Sequence, residues 1–280
     1  LEKPYAMYKA VMTNKLTEVI YQKLPLPVDQ FMSIVLNHTQ HGYYTRNASI
    51  GYEGDFITAP EISQIFGEIV GAWVVHQLEK LIFTNPQLQE IALIELGPGR
   101  GVLLEDILRT VSKLRPNLMP YLKLQLVEIN PRFINLQKAV AARYNLQAEW
   151  YNHVGNLPEG PAIIIANEFF DALPVKQYIW QDKQWYERVI TAEGSNTLGF
   201  AFSSIPPYIA SILNKKYPNP SPHGIIEISI MREEIFKLLV SQIAQYGGAL
   251  WLCDYGEVLP QPRSTLRSYY RHEIINIFEK

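Results

Sequence analysis

Cysteine is almost missing from this chain: Cys253 is the only one in 280 residues. No internal disulfide can form, so a fold of this length must rest on its apolar core. Net charge is nearly missing too, at −2, and no global field draws the chain to nucleic acid or to an anionic membrane. No apolar run reaches the roughly 20 residues of a membrane span, and no secretory signal is visible. Internal repeats and low-complexity tracts are lacking. The chain opens on Leu1 instead of Met, which is compatible with a removed targeting segment. What is plentiful is apolar: 48% of residues are hydrophobic, enough for one large α/β domain plus an appended element.

The densest signal lies between Ile91 and Gly101. Ile91 to Leu96 is a short, nearly unbroken apolar run, the pattern of a strand buried on both faces of a parallel sheet. Gly97, Gly99 and Gly101 then alternate with Pro98 and Arg100. Glycine admits backbone angles closed to other residues and lets a ligand approach the main chain. Val102 to Arg109 follows with helical spacing, its Leu103/Leu104 and Ile107/Leu108 on one side. Strand, glycine turn and helix together present free N–H groups and a positive helix end at the strand's carboxyl edge.

A dinucleotide site favours G-x-G-x-x-G. Here the third glycine comes one residue early, and an acid, Glu95, precedes the turn. Glu95 would repel two phosphates in a low-dielectric crevice, but it suits a cationic amino group and a sulfonium. The next apolar strand, Leu122 to Val127, ends on Glu128, 33 residues after Glu95 and one βαβ step on. A carboxylate at that tip can accept both ribose hydroxyls of an adenosine. The combination favours S-adenosylmethionine over NAD, with Glu95, Gly97, Gly99, Gly101 and Glu128 as contacts. A nucleotide-dependent oxidoreductase is the competing reading, and a turn that serves only tight packing is the plainer one.

Periodicity organises the rest. Helices are expected in the first 50 residues (Val11, Leu16, Val19 and Ile20 on one side), over 28–37 started by Pro27 and Asp29, and from Ile62 to about Leu81. On the last of these Ser63, Gly67 and Gly71 share one face, a small-residue seam for close approach to the sheet. Residues 50–61 are too rich in glycine, acid and proline for a core element and read as a long, shaped loop. Pro131 opens a helix to about Tyr144. Short strands are expected near 148–151, 161–166, 225–230 and 249–253, with a helix over 231–246 ended by Gly247-Gly248. Alternation after Val175 predicts a β-hairpin turned at 181–184, then a proline-rich stretch over 203–224 with one short helix. The last residues, 268–280, read as helical. Asn167 to Pro174, a polar turn after the 161–166 strand, should face the same crevice as the glycine turn.

These motifs resemble a known family, the MidA-type methyltransferases, which include the mitochondrial complex I assembly factor that methylates arginine. The stretches that carry the resemblance are Gly42-Tyr43-Tyr44, Gly54 to Ser63, Phe66-Gly67-Glu68, Glu95 to Gly101, Val127-Glu128, Ala166 to Pro174 and Asp254-Tyr255-Gly256. The likeness covers about residues 30–270 in family order. It implies a Rossmann-like class I methyltransferase fold with a mostly parallel sheet. An N-terminal helical region and cofactor-covering loop would occupy 1–85, and the cofactor domain 86–280, with an insertion at about 175–224. It implies S-adenosylmethionine as cofactor, with Gly54, Phe56, Thr58 and Asn167 added to the contacts above. It further implies a protein arginine as acceptor, on a respiratory complex I subunit or a similar protein. The setting would be the cytoplasm in a bacterium or the mitochondrial matrix in a eukaryote. An assembly or scaffolding factor that keeps the fold without activity is the alternative. The family's Asp-Leu-Thr-Ala-His-Val-Asp-like motif past Thr265-Leu266 has no counterpart, so the chain either lacks that portion or is naturally shortened.

Methyl transfer from a sulfonium is an in-line displacement, in which alignment of the acceptor does most of the catalysis. A guanidinium is cationic at any working pH. Carboxylates are needed to orient its fork and to localise charge away from the attacking nitrogen. Glu168 and Asp171 are the first candidates, Asp55 and Glu61 the second. The competing role for Glu168 and Asp171 is capping of a following helix. Tyr43, Tyr44, Phe56, Phe169 and Phe170 are candidates to wall the crevice, against ordinary core packing. His38 and His41 have no further ligands around them to suggest a metal. Glu227, in an apolar strand, needs a partner if buried.

Overall fold

The computed structural model describes residues 15–46, 58–194, 197–256, 262–270 and 273–278. β1 (Leu26–Pro27) runs into α1 (Val28–Asn37), which buries Val28, Phe31 and Met32. α2 (Ala59–Ile62) is a single turn, and α3 (Gln64–Thr84) follows after Ser63. One continuous helix is expected from Ile62. The extended backbone of Ser63 (φ −148°, ψ 119°) divides it, and the Ser63 hydroxyl caps α3 by accepting the Ile65 N–H.

Strand and helix then alternate through β2 (Ile91–Leu96), α4 (Val102–Leu114), β3 (Leu122–Val127), α5 (Pro131–Arg143), β4 (Ala148–Tyr151) and β5 (Ala162–Asn167). A meander of β6 (Lys176–Gln181), β7 (Gln184–Ala192) and β8 (Leu198–Ser204) leads to α6 (Pro207–Lys216), β9 (Ile225–Ile228), α7 (Ile230–Tyr246) and β10 (Gly248–Cys253). The expected helix over 268–280 is instead a strand pair, β11 (Ser268–Tyr270) with β12 (Glu273–Ile275), Tyr269 lying opposite Ile274. Aromatic and β-branched residues favour that pleated pairing over a helix.

Contacts divide the chain into two compact units, and neither is a single stretch of sequence. The first comprises 1–46, 173–230 and 256–280. In it β7 is central to an antiparallel sheet, with β8 along one side and β6 and β1 along the other, and β9 pairs with β6. The predicted hairpin turns at Asp182 and Lys183, both with positive φ (50° and 62°), the geometry that matches strand twist in a two-residue loop. Ile20, Leu26, Val28, Phe31, Val175 and Ile190 form its core. Glu227 finds partners in the buried Gln177 amide (2.7 Å) and the Thr265 N–H (3.0 Å); Arg188 donates to the other end of Gln177 (3.0 Å).

The second unit comprises 47–172 and 231–255. Its five strands are all parallel, in the order β4-β3-β2-β5-β10. The chain runs outward from β2 to β4 and returns to β5 on the other side of β2, so the strand order reverses there. Ligands of open α/β sheets bind beyond the carboxyl ends at such a point. Register aligns those ends: Leu96 lies opposite Val127 and Ala166, and Asn167 opposite Cys253. Ile91, Leu93, Leu124 and Ile163 of the sheet pack in one cluster with Val74 and Leu78 of α3 and Leu104 and Ile107 of α4.

The small-residue seam meets a helix rather than the sheet. A Cβ on Gly67 would lie 2.4 Å from the Asp106 Cβ, and one on Gly71 2.6 Å from the Thr110 Cβ, both in α4. Glycine lets α3 approach α4 to a distance that alanine forbids. Gly71→Ala is therefore expected to destabilise the protein by about 1–3 kcal/mol through overpacking, read as a lower urea midpoint. An unshifted midpoint would show that the seam has slack. No helix among the described residues is long and apolar enough to cross a membrane.

Candidate active site

The glycine turn has the backbone that its sequence demands. Gly97, Gly99 and Gly101 take φ of +65°, +53° and +79°, a region costly for any side chain with a Cβ. The Gly97 N–H donates to the Val127 carbonyl (2.9 Å), which ties the turn to β3, and Gly101 starts α4. A Cβ on Gly97 would touch the Phe169 ring at 3.1 Å, whereas one on Gly99 would meet nothing within 4 Å. The turn thus has Phe169 as a wall and free space at its middle.

Glu95 sits beneath it, 4% exposed, with Oε2 buried and without a hydrogen-bond partner. Burial, and then the nearby Glu128, push its carboxyl up to about 8. A buried carboxyl oxygen left unmatched is costly, and a cationic amino group is the kind of ligand that relieves it. Glu128 stands at the tip of β3. Its Oε1 accepts the N–H groups of Ile129 (2.9 Å) and Asn130 (2.8 Å), and Oε2 accepts a longer bond from Gln137 (3.3 Å). Against the burial that raises this carboxyl, the Gly99 N–H also favours its charged form. One oxygen is therefore occupied by its own turn, and Oε2 is the one with capacity to accept from a ribose. The orphaned Glu95 oxygen, the glycine cradle and Glu128 Oε2 fit an adenosyl ligand bearing an ammonium group.

The polar turn after β5 arrives on the same edge. The Asn167 Oδ1 is buried and unpartnered. Glu168 takes an unusual φ of +48°, with its N–H donating to the Cys253 carbonyl (2.8 Å) and its Oε1 accepting from the Ala59 N–H (3.3 Å). That last bond brings the end of the acidic loop, at Thr58–Ala59, to this turn. Burial raises the Glu168 carboxyl, with Asp171 and Asp254 adding to the rise against the Ala59 N–H. Asp171 reaches solvent, yet burial of its carboxyl and then Asp254 hold it at about 6. No helix follows this turn, so Glu168 and Asp171 are not helix caps. Phe169 and Phe170 stack edge-on at 5.6 Å.

Glu61 is half-buried, with Oε2 buried and unpartnered and Oε1 3.8 Å from Arg100 of the glycine turn; burial raises its carboxyl and Arg100 opposes the rise. Gly54, Asp55 and Phe56 lie outside the described residues. Tyr43 and Tyr44 belong to the first unit, edge-on to each other at 5.5 Å. His38 uses Nδ1 to accept the Gln40 and His41 N–H groups (both 3.3 Å), a turn-capping role.

Two residues gain a role that periodicity does not assign. The Asp254 Oδ2 accepts the N–H groups of Phe170 (2.9 Å) and Asp171 (3.0 Å), and Oδ1 accepts that of Tyr255 (2.8 Å), so one carboxylate organises the acidic turn. Gln137 is fully buried under the glycine turn. Its signal was a polar residue on the apolar stripe of α5, between Phe133 and Val140/Ala141.

Comparison with known proteins places this geometry. Residues 69–280 match the model of a family of S-adenosyl-L-methionine-dependent methyltransferases. The chain belongs to that family. Among the methyltransferase's relatives, the mitochondrial protein arginine methyltransferase NDUFAF7 homolog of Drosophila melanogaster is 32% identical over 98% of this chain and 67% of its own length. Mitochondrial protein arginine methyltransferase NDUFAF7 of Danio rerio is 31% identical over 91% of this chain and 64% of its own. The chain thus spans about two thirds of the length of these curated relatives. A superfamily member from Burkholderia thailandensis, crystallised with S-adenosyl-homocysteine, superposes with a TM-score of 0.68 at 20% identity, over 86% of this chain and 62% of its own. At that identity the likeness is one of fold, and it is the Rossmann-like α/β fold expected above.

Proposed function

We propose that this methyltransferase transfers a methyl group to an arginine side chain of a protein, with Glu168 and Asp171 holding the guanidinium. The observation that carries the proposal is the set of carboxyl groups, Glu168, Asp171 and Asp254, gathered at the carboxyl ends of β5 and β10 on the edge that bears the glycine turn. S-adenosylmethionine, when bound, supplies a methyl group on a sulfonium centre. Glu95, Glu128 Oε2 and Asn167, with the turn Gly97–Gly101, would hold it, and Gly54, Phe56 and Thr58 of the loop would cover it. Asp55 and Glu61 stand as secondary acidic groups.

Glu168 and Asp171 bear the load of orienting the acceptor. Two carboxylates can engage the planar fork of a guanidinium and fix which nitrogen faces the methyl donor. They must be ionised to do so. Asp171 titrates at about 6, so its carboxylate is lost as pH falls through that value and gained above it. The family resemblance supplies the further proposals: a complex I subunit or similar protein as acceptor, and as compartment the mitochondrial matrix in a eukaryotic host, in keeping with the mitochondrial relatives, or the cytoplasm in a bacterial one.

The test is incorporation of labelled methyl from S-adenosylmethionine into an arginine-bearing protein acceptor. Incorporation should vanish when the acceptor arginine becomes lysine and when Glu168→Ala or Asp171→Ala is introduced. With wild type, kcat/KM should fall about tenfold per pH unit below about pH 6, and Asp171→Asn should remove that limb. Cofactor binding without incorporation into any arginine would favour an assembly factor that retains only the fold. A flat profile between pH 5 and 7, at about these limits, would remove Asp171 from the acceptor site.

A further inference from the structure

Gln137 is a helix residue with none of its side chain exposed, yet it carries an amide, which is costly to bury unless each polar atom is matched. All of them are matched. Nε2 donates to the Gly99 carbonyl (2.7 Å) and to Glu128 Oε2 (3.3 Å), and Oε1 accepts from the Trp150 indole N–H (2.8 Å). The sense of the amide cannot be reversed. A carbonyl and a carboxylate only accept, and an indole N–H only donates, so each partner fixes the end it faces. The stem is fixed as well: a Cβ on Gly101 would lie 3.5 Å from the Gln137 Cγ.

This one side chain therefore joins three parts of the second unit: the middle of the glycine turn, the carboxylate at the tip of β3, and β4. In a trans peptide the N–H points opposite to the C=O. With the Gly99 carbonyl drawn onto Gln137, the N–H of the Gly99–Arg100 peptide is turned away from it. The bond to Glu128 Oε2 likewise restrains the oxygen that the glycine-turn reading assigns to the ribose.

We propose that Gln137 is the positioning residue of the cofactor site: it sets the orientation of the Gly99–Arg100 peptide and the aim of Glu128 while lying beneath the turn. The proposal rests on the reading that the glycine turn and Glu128 hold the adenosyl group. Cofactor affinity then depends on a buried amide whose own role is to aim other groups.

The experiment is calorimetry on the full chain with S-adenosylmethionine and with 5′-methylthioadenosine, which keeps the nucleoside but lacks the amino-acid portion. Gln137→Met keeps the length and the Cγ packing but removes every hydrogen bond; it should weaken both ligands by about tenfold or more. Trp150→Phe leaves the amide in place but removes the donor that fixes its sense, and should weaken both by a smaller factor, about threefold. Glu95→Gln, which alters only the ammonium subsite, should weaken S-adenosylmethionine and spare methylthioadenosine. A merely structural glutamine would lower the melting temperature and leave the affinity of the folded protein unchanged.

Affinity within about twofold of wild type in a folded Gln137→Met protein, or in Trp150→Phe if the first does not fold, overturns the proposal. Loss confined to S-adenosylmethionine overturns it too, because the nucleoside end would then be untouched. Gly99→Val separates this from the wider reading: if that variant binds S-adenosylmethionine like wild type, the glycine turn is not the cofactor site at all. If Gly99→Val abolishes binding and Gln137→Met does not weaken it, only the role of Gln137 fails.

Discussion

Glu95→Gln is expected to raise the melting temperature of the ligand-free protein at about pH 7.5 while weakening S-adenosylmethionine about a hundredfold. The two effects have one cause. Glu95 is buried, with an oxygen that no protein group satisfies, and its carboxyl titrates at about 8 when folded against an ordinary 4.5. A group raised in this way contributes its full stability only below the unfolded value, and that contribution is lost as pH rises through the folded one. At pH 7 the loss is on the order of 3 kcal/mol, an upper bound. Glutamine keeps the shape and stays neutral, so it removes a cost that grows between about pH 4.5 and 8 and persists above, and it changes little below about 4.5. It also removes the negative charge that a cationic ligand would call forth. Calorimetric melts across that range, paired with titrations of the cofactor, measure both. A glutamine variant that melts lower at pH 7.5, about where the effect is largest, would mean that the buried carboxyl has partners of its own.

The second large effect concerns Asp254. Removing its carboxylate (Asp254→Ala) takes away three accepted backbone bonds at once, those from Phe170, Asp171 and Tyr255. The turn that bears Glu168 and Asp171 would lose its side-chain anchor just past β10 and keep only the bond from the Glu168 N–H to the Cys253 carbonyl to hold it there. Glu168 would have less to hold its left-handed backbone at φ +48°. Misplacement of the orienting groups by about 1 Å is enough to cost about a hundredfold in methyl transfer. Most of the proposed cofactor contacts, Glu95, the glycine turn and Glu128, stand at the ends of β2 and β3, so affinity for S-adenosylmethionine should stay within about threefold of wild type. Asp254→Asn, which keeps one carbonyl oxygen as acceptor, should recover part of the rate. The pattern to look for is a fall in kcat with little change in cofactor affinity. Equal loss of both would place Asp254 in the cofactor site instead, and no loss of rate would free the acidic turn from it.

The acceptor-binding reading and the cofactor-binding reading stand on separate strands. The first uses β5 and β10, the second β2 and β3, and only the Asn167 end of β5 serves both. That separation explains why substitutions on one side are expected to spare the other. It also explains why Glu95 and Asp171, both carboxyl groups raised by burial, point to different experiments: one is read in binding and stability, the other in the acid limb of the rate.

What the amino-acid order determined by itself is local. An apolar run followed by three alternating glycines can do little other than make a buried strand and a turn with positive φ, because no other residue enters that region cheaply. The Asn167–Pro174 turn, Pro131 at the head of α5 and the turn at Asp182–Lys183 were legible on the same ground, since each depends on residues within a few positions. Tertiary structure decided the rest. Whether Glu95 lies dry or wet, which helix Gly67 and Gly71 approach, and what Gln137 and Asp254 grip are set by groups 38 to 109 positions or more away in some cases, as Gln137 to Gly99 and Glu168 to Ala59 illustrate. Burial and hydrogen bonding are properties of neighbours in space, and in this chain those neighbours are supplied by the aligned carboxyl ends of parallel strands.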